Sequence, residues 1–153
     1  MTKFLKFSGL LALLLIVSCN KEDNSAEQAA ADDAKIQQYI SDHGLTATPT
    51  GSGLYVVIDN PGFGASCNSN SDVKVAYTGY YTDGINFDQS LASGIVFNLQ
   101  GVIQGWTEGI PYFNEGGSGT LLIPSALGYG SSGSGSVPAN AVLIFDIELI
   151  EVL

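Results

Sequence analysis

The chain has 153 residues, which suffices for one domain of ordinary size and a short appendage. Five lysines, no arginine and fifteen acidic residues give it a formal net charge of −10. A surface of this charge repels phosphate backbones, and no basic stripe is present to neutralise them, so the composition argues against a nucleic-acid partner.

The N-terminus has the pattern of a bacterial export signal. Two lysines precede an apolar run over residues 10–17, which is shorter than the roughly 20 residues that a transmembrane helix needs. Residues 16–19 (IVSC) resemble the lipobox of bacterial lipoproteins. This resemblance implies that residues 1–18 are a signal peptide and that Cys19 carries the lipid. The protein would then be exported and anchored to a bacterial membrane, at the outer membrane, its periplasmic face or the cell surface. An ordinary signal peptide or a buried cysteine is the alternative.

A polar tether and an amphipathic helix are predicted for residues 19–50. The first part is charged and poor in apolar side chains, as solvated chain is. Ser25 and Gln28 have capping-box spacing and Gly44 is a natural stop, so the sequence predicts a helix over residues 26–43. We expect this helix to dock lightly on the domain or to mediate a weak contact, because its apolar face is narrow. That face consists of Ile36, Tyr39 and Ile40.

Strand patterns dominate the remaining segment, residues 51–153, which we expect to form the domain proper. A strand is predicted at residues 53–60 and a loop rich in Gly, Ser and Asn at residues 61–72, in which Cys67 would be a loop thiol without function. Asp83-Gly84 predicts a hairpin after a strand with alternating apolar side chains. Those side chains are Val73, Val75, Tyr77 and Tyr81.

Two further short strands are predicted at residues 96–99 and 120–123, and a long glycine-rich loop at residues 128–140 precedes the last strand. Alternation in the last strand predicts one inward and one outward set of side chains. The inward set is Leu143, Phe145, Ile147 and Leu149, and the outward set is Ile144, Asp146 and Glu148.

Residues 101–110 (GVIQGWTEGI) carry the only helical pattern among these strands. Their apolar residues have near-helical spacing, yet three glycines weaken the helix and Pro111 should end it. One short helix among several strands predicts an α+β fold, in which a curved antiparallel β-sheet wraps around that helix.

Four motifs in this segment resemble the FKBP-type peptidyl-prolyl cis–trans isomerases. They lie in the family's order between residues 54 and 153, and they read VAYTGYYTDGINFDQS, GVIQGWTEGI, LLIPSALGYG and VPANAVLIFDIEL. Together with the N-terminal signal, the chain resembles the bacterial lipoprotein form of this family. The resemblance implies that the glycines of the helix permit close packing and that Trp106 forms the floor of a ligand pocket.

The resemblance also assigns roles to individual residues, each of which could alternatively be a core-packing residue. It implies that the catalytic residues are Tyr77, Phe87, Asp88, Tyr129 and Phe145. It implies that the substrate-binding residues are Phe97, Val102, Ile103, Trp106 and Val137. Asp88 is expected to accept a hydrogen bond from Tyr77, and the Tyr129 hydroxyl to bond the carbonyl that precedes the substrate proline.

The implied activity is isomerisation of X–Pro bonds in extracytoplasmic protein folding, without a cofactor or metal. The single histidine lies in the appendage, and no acidic cluster has metal-ligand spacing. Proline-containing proteins would be the substrates, and macrolide inhibitors are candidate ligands. A non-catalytic peptide-binding holdase and a surface lipoprotein with a vestigial pocket are the alternatives. The Gly/Ser-rich loop after Tyr129 departs from the family, which leaves substrate preference and macrolide affinity open.

Overall fold

The computed structural model describes residues 21–153, with side chains from residue 24 onward. The predicted signal peptide of residues 1–18 and the lipid-attachment residue Cys19 therefore lie outside the described residues. Within residues 21–153, neither helix combines the length and the apolar character that crossing a membrane requires.

Two α-helices, seven strands and two short 3-10 helices make up the described part of the chain. In chain order they are α1 (Lys21–His43), β1 (Thr48–Pro49), β2 (Tyr55–Asn60), β3 (Asp72–Tyr80), β4 (Asn86–Gln89), β5 (Ile95–Asn98), α2 (Gln104–Gly109), a 3-10 helix (Ile110–Tyr112), β6 (Gly117–Ile123), a second 3-10 helix (Ser125–Leu127) and β7 (Leu143–Val152).

All strand pairs are antiparallel and form one sheet. The strand order is β1-β2-β6-β7-β3-β4, and β5 also pairs with β3, beside β4. Pairing begins at Thr48, slightly before the domain start predicted at residue 51. The predicted α+β fold with an antiparallel sheet around one short helix is confirmed.

Helix α2 packs on the inner face of the sheet, and two of its glycines make close approach to β6 possible. A Cβ atom on Gly105 would lie 2.5 Å from Ile123 Cγ2, and one on Gly109 would lie 2.7 Å from Leu121 Cδ2. Any side chain at these positions would push the helix away from the strand. The main hydrophobic core lies in this layer and includes Trp106.

The limits of α2 differ from those predicted. Ile103 is an extended residue at its N-terminal cap, so the helix begins only at Gln104. Pro111 does not end the helical segment, since it lies in the first turn of the 3-10 helix that follows α2 directly. Proline is tolerated there because the first N–H groups of a helix have no partner within it.

Helix α1 covers the outer face of the sheet, and the predicted light docking is wrong. Its Ile36 side chain is fully buried, and Asp32 is only 1% exposed. The helix also begins at Lys21 rather than after the predicted cap at Ser25, because the intervening residues contain no helix breaker. The predicted tether is shortened accordingly.

The docked helix closes a second hydrophobic cluster, formed by Ile36, Val57, Leu122 and Val142. Ile144 pairs with Leu122 in the sheet and is fully buried, although alternation predicted that it points outward. Alternation assigns Ile144 to the correct face of β7, but that face is exposed only where α1 does not shield it. Asp146 and Glu148, farther along β7, are exposed as predicted.

Candidate functional site

A cavity of about 460 Å³ opens beside the start of α2. Its lining residues come from β3, β4, β5, β7, the N-terminal end of α2 and the loop after the second 3-10 helix. They are Tyr77, Asp88, Phe97, Gly101, Val102, Ile103, Trp106, Tyr129 and Phe145. Eight of the ten predicted site residues therefore lie together, although they come from distant parts of the sequence.

Trp106 is the central aromatic residue of the cavity and is only 4% exposed. Its ring meets those of Tyr77, Phe97 and Phe145 edge to face, at centroid separations of 5.0, 5.4 and 5.3 Å. Such edge-to-face pairs contribute about 0.5–1.5 kcal/mol each beyond the area they bury. These rings hold the indole in one orientation and give the cavity a rigid apolar base.

The indole N–H of Trp106 is buried and has no hydrogen-bond partner among the described residues. A buried donor without a partner costs about 1–3 kcal/mol, so such groups are rare.

Tyr77 and Asp88 bring a polar contact to the wall of the cavity. The Tyr77 hydroxyl donates a hydrogen bond to Asp88 Oδ2 at 2.8 Å, while the Gln89 N–H donates to Asp88 Oδ1 at 2.9 Å. Burial, followed by this hydrogen bond and the charge of Asp88, raises the pKa of Tyr77 to about 12. Tyr77 therefore stays protonated at neutral pH and its ring is fixed by the carboxylate.

Two predicted site residues, Phe87 and Val137, are not among the lining residues. Phe87 packs edge to face on Phe145 at 5.5 Å and also contacts Tyr81 at 4.9 Å. The absence of a side chain at Gly79 makes room for both phenylalanines, because a Cβ there would lie 2.7 Å from Phe145 and 2.8 Å from Phe87. Val137 is a buried member of the main core. Both side chains are taken up by packing and support the wall rather than form it.

Tyr129 stands at the rim, with 38% of its surface exposed. No residue in the range 21–153 forms a hydrogen bond with its hydroxyl. The backbone on either side is held, because the Ser125 carbonyl accepts the N–H groups of Gly128 at 3.0 Å and Gly130 at 2.8 Å. The hydroxyl is thus a donor available to a ligand on a locally ordered loop.

Ile103 contributes its backbone to the same rim. As the extended residue before α2, it has an N–H that lies outside the hydrogen bonds of the helix. Its carbonyl accepts from the backbone N–H of Trp106 at 2.9 Å, which fixes Ile103 relative to the first turn of α2.

Sequence reasoning missed two features of the site. Gly101 lines the cavity, but the sequence pattern indicated it only as a residue that weakens the helix. Glu108 anchors α2, because its Oε1 accepts hydrogen bonds from Thr50 at 2.5 Å and Ser52 at 2.7 Å. That contact joins residues more than fifty positions apart and has no local signal.

A larger groove of about 510 Å³ runs beside outward-facing residues of β3 and β7, which include Thr78, Asp146 and Glu148. It contains no aromatic cluster comparable to that around Trp106. Within residues 21–153, no group of three His, Cys, Asp or Glu side chains is placed to hold a metal ion. The aromatic cavity is therefore the candidate functional site. It can bind an apolar ring and donate hydrogen bonds at its rim.

Comparison with known proteins connects this cavity to a family. The sequence profile of the FKBP-type peptidyl-prolyl cis-trans isomerases matches residues 64–150. The FKBP-type isomerase FkpA of Aeromonas hydrophila is 46% identical over 105 residues, which are 67% of this chain and 39% of that protein. A probable FKBP-type isomerase of Haemophilus influenzae is 38% identical over 144 residues, 92% of this chain and 59% of that protein.

A solved structure supports the same assignment. The peptidyl-prolyl cis-trans isomerase of Pseudomonas syringae is 31% identical, with a TM-score of 0.73 over 84% of this chain and 95% of that one. The chain spans about two to three fifths of the length of the two curated relatives described above. The matched region contains every residue that lines the aromatic cavity. The chain belongs to the family of FKBP-type peptidyl-prolyl cis-trans isomerases.

Proposed function

We propose that this chain accelerates cis–trans isomerisation of X–Pro bonds and that the reaction takes place over Trp106. The observation that carries the proposal is the aromatic base of the cavity, in which a buried indole is surrounded by three rings. A volume of about 460 Å³ lies in the range of small-molecule sites and accommodates a proline ring with its neighbouring peptide atoms.

The chemistry follows from the resonance of the peptide bond. Rotation about X–Pro has a barrier of about 18–20 kcal/mol because the C–N bond is partly double. Water favours the charge-separated resonance form that gives the bond this character. Transfer of the bond into the apolar cavity removes that solvation and lowers the cost of twisting. Groups that bind the twisted bond better than either planar form then accelerate exchange.

We assign the polar roles as follows. The Tyr129 hydroxyl donates to the carbonyl that precedes the proline, and the Ile103 N–H bonds a carbonyl of the bound peptide. Tyr77 forms part of the wall and is held in place by Asp88. Phe97, Val102 and Phe145 complete the apolar lining. Phe87 and Val137 act from behind it by fixing the wall.

We place this activity outside the cytoplasm, with Cys19 as a lipid anchor and proline-containing extracytoplasmic proteins as substrates. The support is the apolar run and the IVSC motif at residues 16–19. Macrolides are proposed as inhibitors because a proline-like ring in such a ligand would compete for the surface of Trp106.

Turnover by the purified fragment 20–153 tests the proposal. The substrate is a tetrapeptide with a hydrophobic residue before proline, and kcat/KM is measured against the spontaneous rate. Trp106 is the only tryptophan, so its fluorescence reports binding at the site independently of turnover. Acceleration together with a fluorescence change supports the assignment. Exchange at the spontaneous rate would refute the proposed isomerase activity. Suppression of aggregation without turnover would favour the holdase function.

A further inference from the structure

A buried carboxylate on α1 lies in contact with the segment that leads to Tyr129. Asp32 Oδ2 accepts hydrogen bonds from the Ser125 N–H at 2.8 Å and from Ser125 Oγ at 2.5 Å. Its other oxygen, Oδ1, accepts from Gln28 Nε2 at 2.7 Å. Asp32 is 1% exposed and Ser125 is 2% exposed, so water does not compete for these bonds. Hydrogen bonds to a charged acceptor are about twice as strong as neutral ones.

The carbonyl of Ser125 restrains the backbone at the rim of the cavity. Its carbonyl accepts hydrogen bonds from Gly128 and Gly130, which are the two neighbours of Tyr129 in the chain. Asp32 therefore fixes the N–H and the hydroxyl of Ser125. The Ser125 carbonyl in turn fixes the backbone on both sides of Tyr129. We define the Ser125 cradle as Asp32, Ser125, Gly128 and Gly130.

Two further backbone hydrogen bonds restrain the loop after Tyr129, because the Tyr129 carbonyl accepts from the Gly133 N–H at 3.2 Å and the Gly130 carbonyl accepts from the Asn140 N–H at 2.8 Å. The loop continues through Gly130, Gly133 and Gly135, all of which have positive φ values, and glycine loses more conformational freedom on ordering than other residues do. No described residue forms a hydrogen bond with the Tyr129 hydroxyl, so no such bond fixes the ring. The position of the hydroxyl thus depends on the backbone, which the cradle holds on both sides of Tyr129 and the two loop hydrogen bonds hold only on its C-terminal side.

We propose that Asp32 is a positioning residue for Tyr129, acting across the sheet from the N-terminal helix by way of Ser125. The proposal rests on the proposed function, since it assigns a catalytic consequence to the position of the Tyr129 hydroxyl. It makes α1 part of the catalytic apparatus rather than a tether alone. Asp32 does not touch the substrate, and its effect is confined to the loop it holds.

A neighbouring residue provides a matched control. Asp33 Oδ1 accepts a hydrogen bond from the Tyr55 hydroxyl at 2.8 Å, so it also links α1 to the sheet. This contact involves β2 and has no connection to the cradle. Asp33→Ala and Asp32→Ala therefore remove the same side chain from adjacent positions, and each breaks a contact between the helix and the sheet.

The first experiment compares kcat/KM for the full chain carrying Asp32→Ala, Asp33→Ala or Asp32→Asn. Tyr129→Phe should lower kcat/KM about threefold to tenfold, which corresponds to one neutral hydrogen bond. Asp32→Ala should also lower kcat/KM, by no more than this amount. Asp33→Ala should leave kcat/KM unchanged. Asp32→Asn should restore most of the activity, because its amide oxygen still accepts from both donors of Ser125 while the Gln28 amide turns round.

A double-mutant cycle separates positioning from loss of stability. In the Tyr129→Phe background, Asp32→Ala should cause no further loss of kcat/KM, because the hydroxyl that it positions is already absent. Independent losses that multiply would overturn the proposal, and so would equal losses in Asp32→Ala and Asp33→Ala.

Amide hydrogen exchange at Gly128 and Gly130 tests the cradle without reference to activity. Both amides should exchange faster in Asp32→Ala than in Asp33→Ala, and circular dichroism should show that both variants are folded. Unchanged exchange at the two glycines would overturn the cradle itself. Turnover by Tyr129→Phe at the parental rate would instead overturn the role of Tyr129 in the proposed function, and with it the catalytic consequence of Asp32.

Discussion

The Tyr77 ring combines four contacts that would be weak separately. Its hydroxyl bonds Asp88, its ring is nearly perpendicular to that of Trp106, and it is tilted relative to the rings of Phe97 and Phe145. Together these contacts restrict the rotation of the ring. The wall of the cavity is therefore ordered before a ligand enters, which lowers the entropy cost of binding.

Substitutions at the cavity should follow a definite order of severity. Tyr129→Phe removes one exposed hydroxyl, worth about 0.5–1.5 kcal/mol, and should lower kcat/KM several-fold. Phe145→Ala removes an aromatic wall and admits water to the bond, so its loss should be larger. Asp88→Ala should fall between them, because it frees Tyr77 without removing a ring. The measurement is kcat/KM on a proline tetrapeptide, with circular dichroism as a check of folding.

Phe63→Ala is the matched control for Phe145→Ala, since Phe63 is 93% exposed and lies outside the core. It should change neither kcat/KM nor the thermal midpoint. If the three cavity variants are folded and all have parental turnover, catalysis does not take place in this cavity.

The raised pKa of Tyr77 makes stability depend on alkaline pH. The unfolded chain loses this proton near pH 10, whereas the folded chain keeps it until about pH 12. The folded state thus binds more protons in that range, and the free energy of unfolding falls as pH rises from about 10 to 12. Tyr80 contributes in the same direction, because burial, its hydrogen bond with Tyr39 and the nearby Asp146 raise its pKa as well.

Urea unfolding at a series of pH values checks this dependence. The midpoint should decline as pH rises from about 10 to 12, and Tyr77→Phe should make the decline in this range shallower. A decline of the same slope in Tyr77→Phe and in the parent would show that Tyr77 has the same pKa in both states.

Which residues gather at the site could largely be predicted from sequence, but their individual positions could not. The motifs identified the residue types, yet whether Phe87 or Phe145 faces the cavity depends on how two rings share the space above Gly79. Local spacing contains no information on that choice.

Cys67 was expected to be a plain loop thiol, and it is half-buried against the main core, where burial raises its pKa.

At the scale of elements, the two helices serve opposite faces of one sheet. Helix α2 and the cavity occupy the inner face, while α1 seals a cluster on the outer face with Ile36. The strands and α2 were predictable because alternation and glycine placement are local signals. The depth at which α1 docks was not, because it depends on a bond between Asp32 and Ser125, 93 positions apart.

Gly105→Ala should destabilise the protein even though alanine is the better helix former. Its Cβ would lie 2.5 Å from Ile123 Cγ2, and overpacking of this kind costs about 1–3 kcal/mol against a gain of about 1 kcal/mol in propensity. Gly101→Ala is the control, since its Cβ would be 3.6 Å from the nearest atom. Thermal unfolding measures both. A higher midpoint for Gly105→Ala than for the parent would show that α2 has room to move.

For the whole molecule, the early start of α1 bears on the proposed anchor. The helix begins at Lys21, two residues after Cys19. The eleven residues from Lys21 to Ala31, before the buried Asp32, span about 16 Å at 1.5 Å per residue. A lipid on Cys19 would therefore hold the domain close to the membrane surface by a helical segment rather than a slack tether.

Cys19→Ser should release the protein from the membrane fraction and abolish its labelling with palmitate, because the acyl chains supply the membrane affinity. Cys67→Ser is the matched control and should change neither result, since Cys67 packs against the folded core. Retention of Cys19→Ser in the membrane fraction with undiminished label would contradict the anchor.

The glycines of α2 also have a consequence for how the sequence can diverge. Gly105 fits against Ile123 and Gly109 against Leu121, so each pair fills one fixed volume between helix and strand. A larger residue on the helix becomes acceptable only when the strand residue opposite it has become smaller. Positions 105 and 123, and likewise 109 and 121, should therefore change together across homologous chains. The effect of a substitution at either glycine will depend on the genetic background in which it arises.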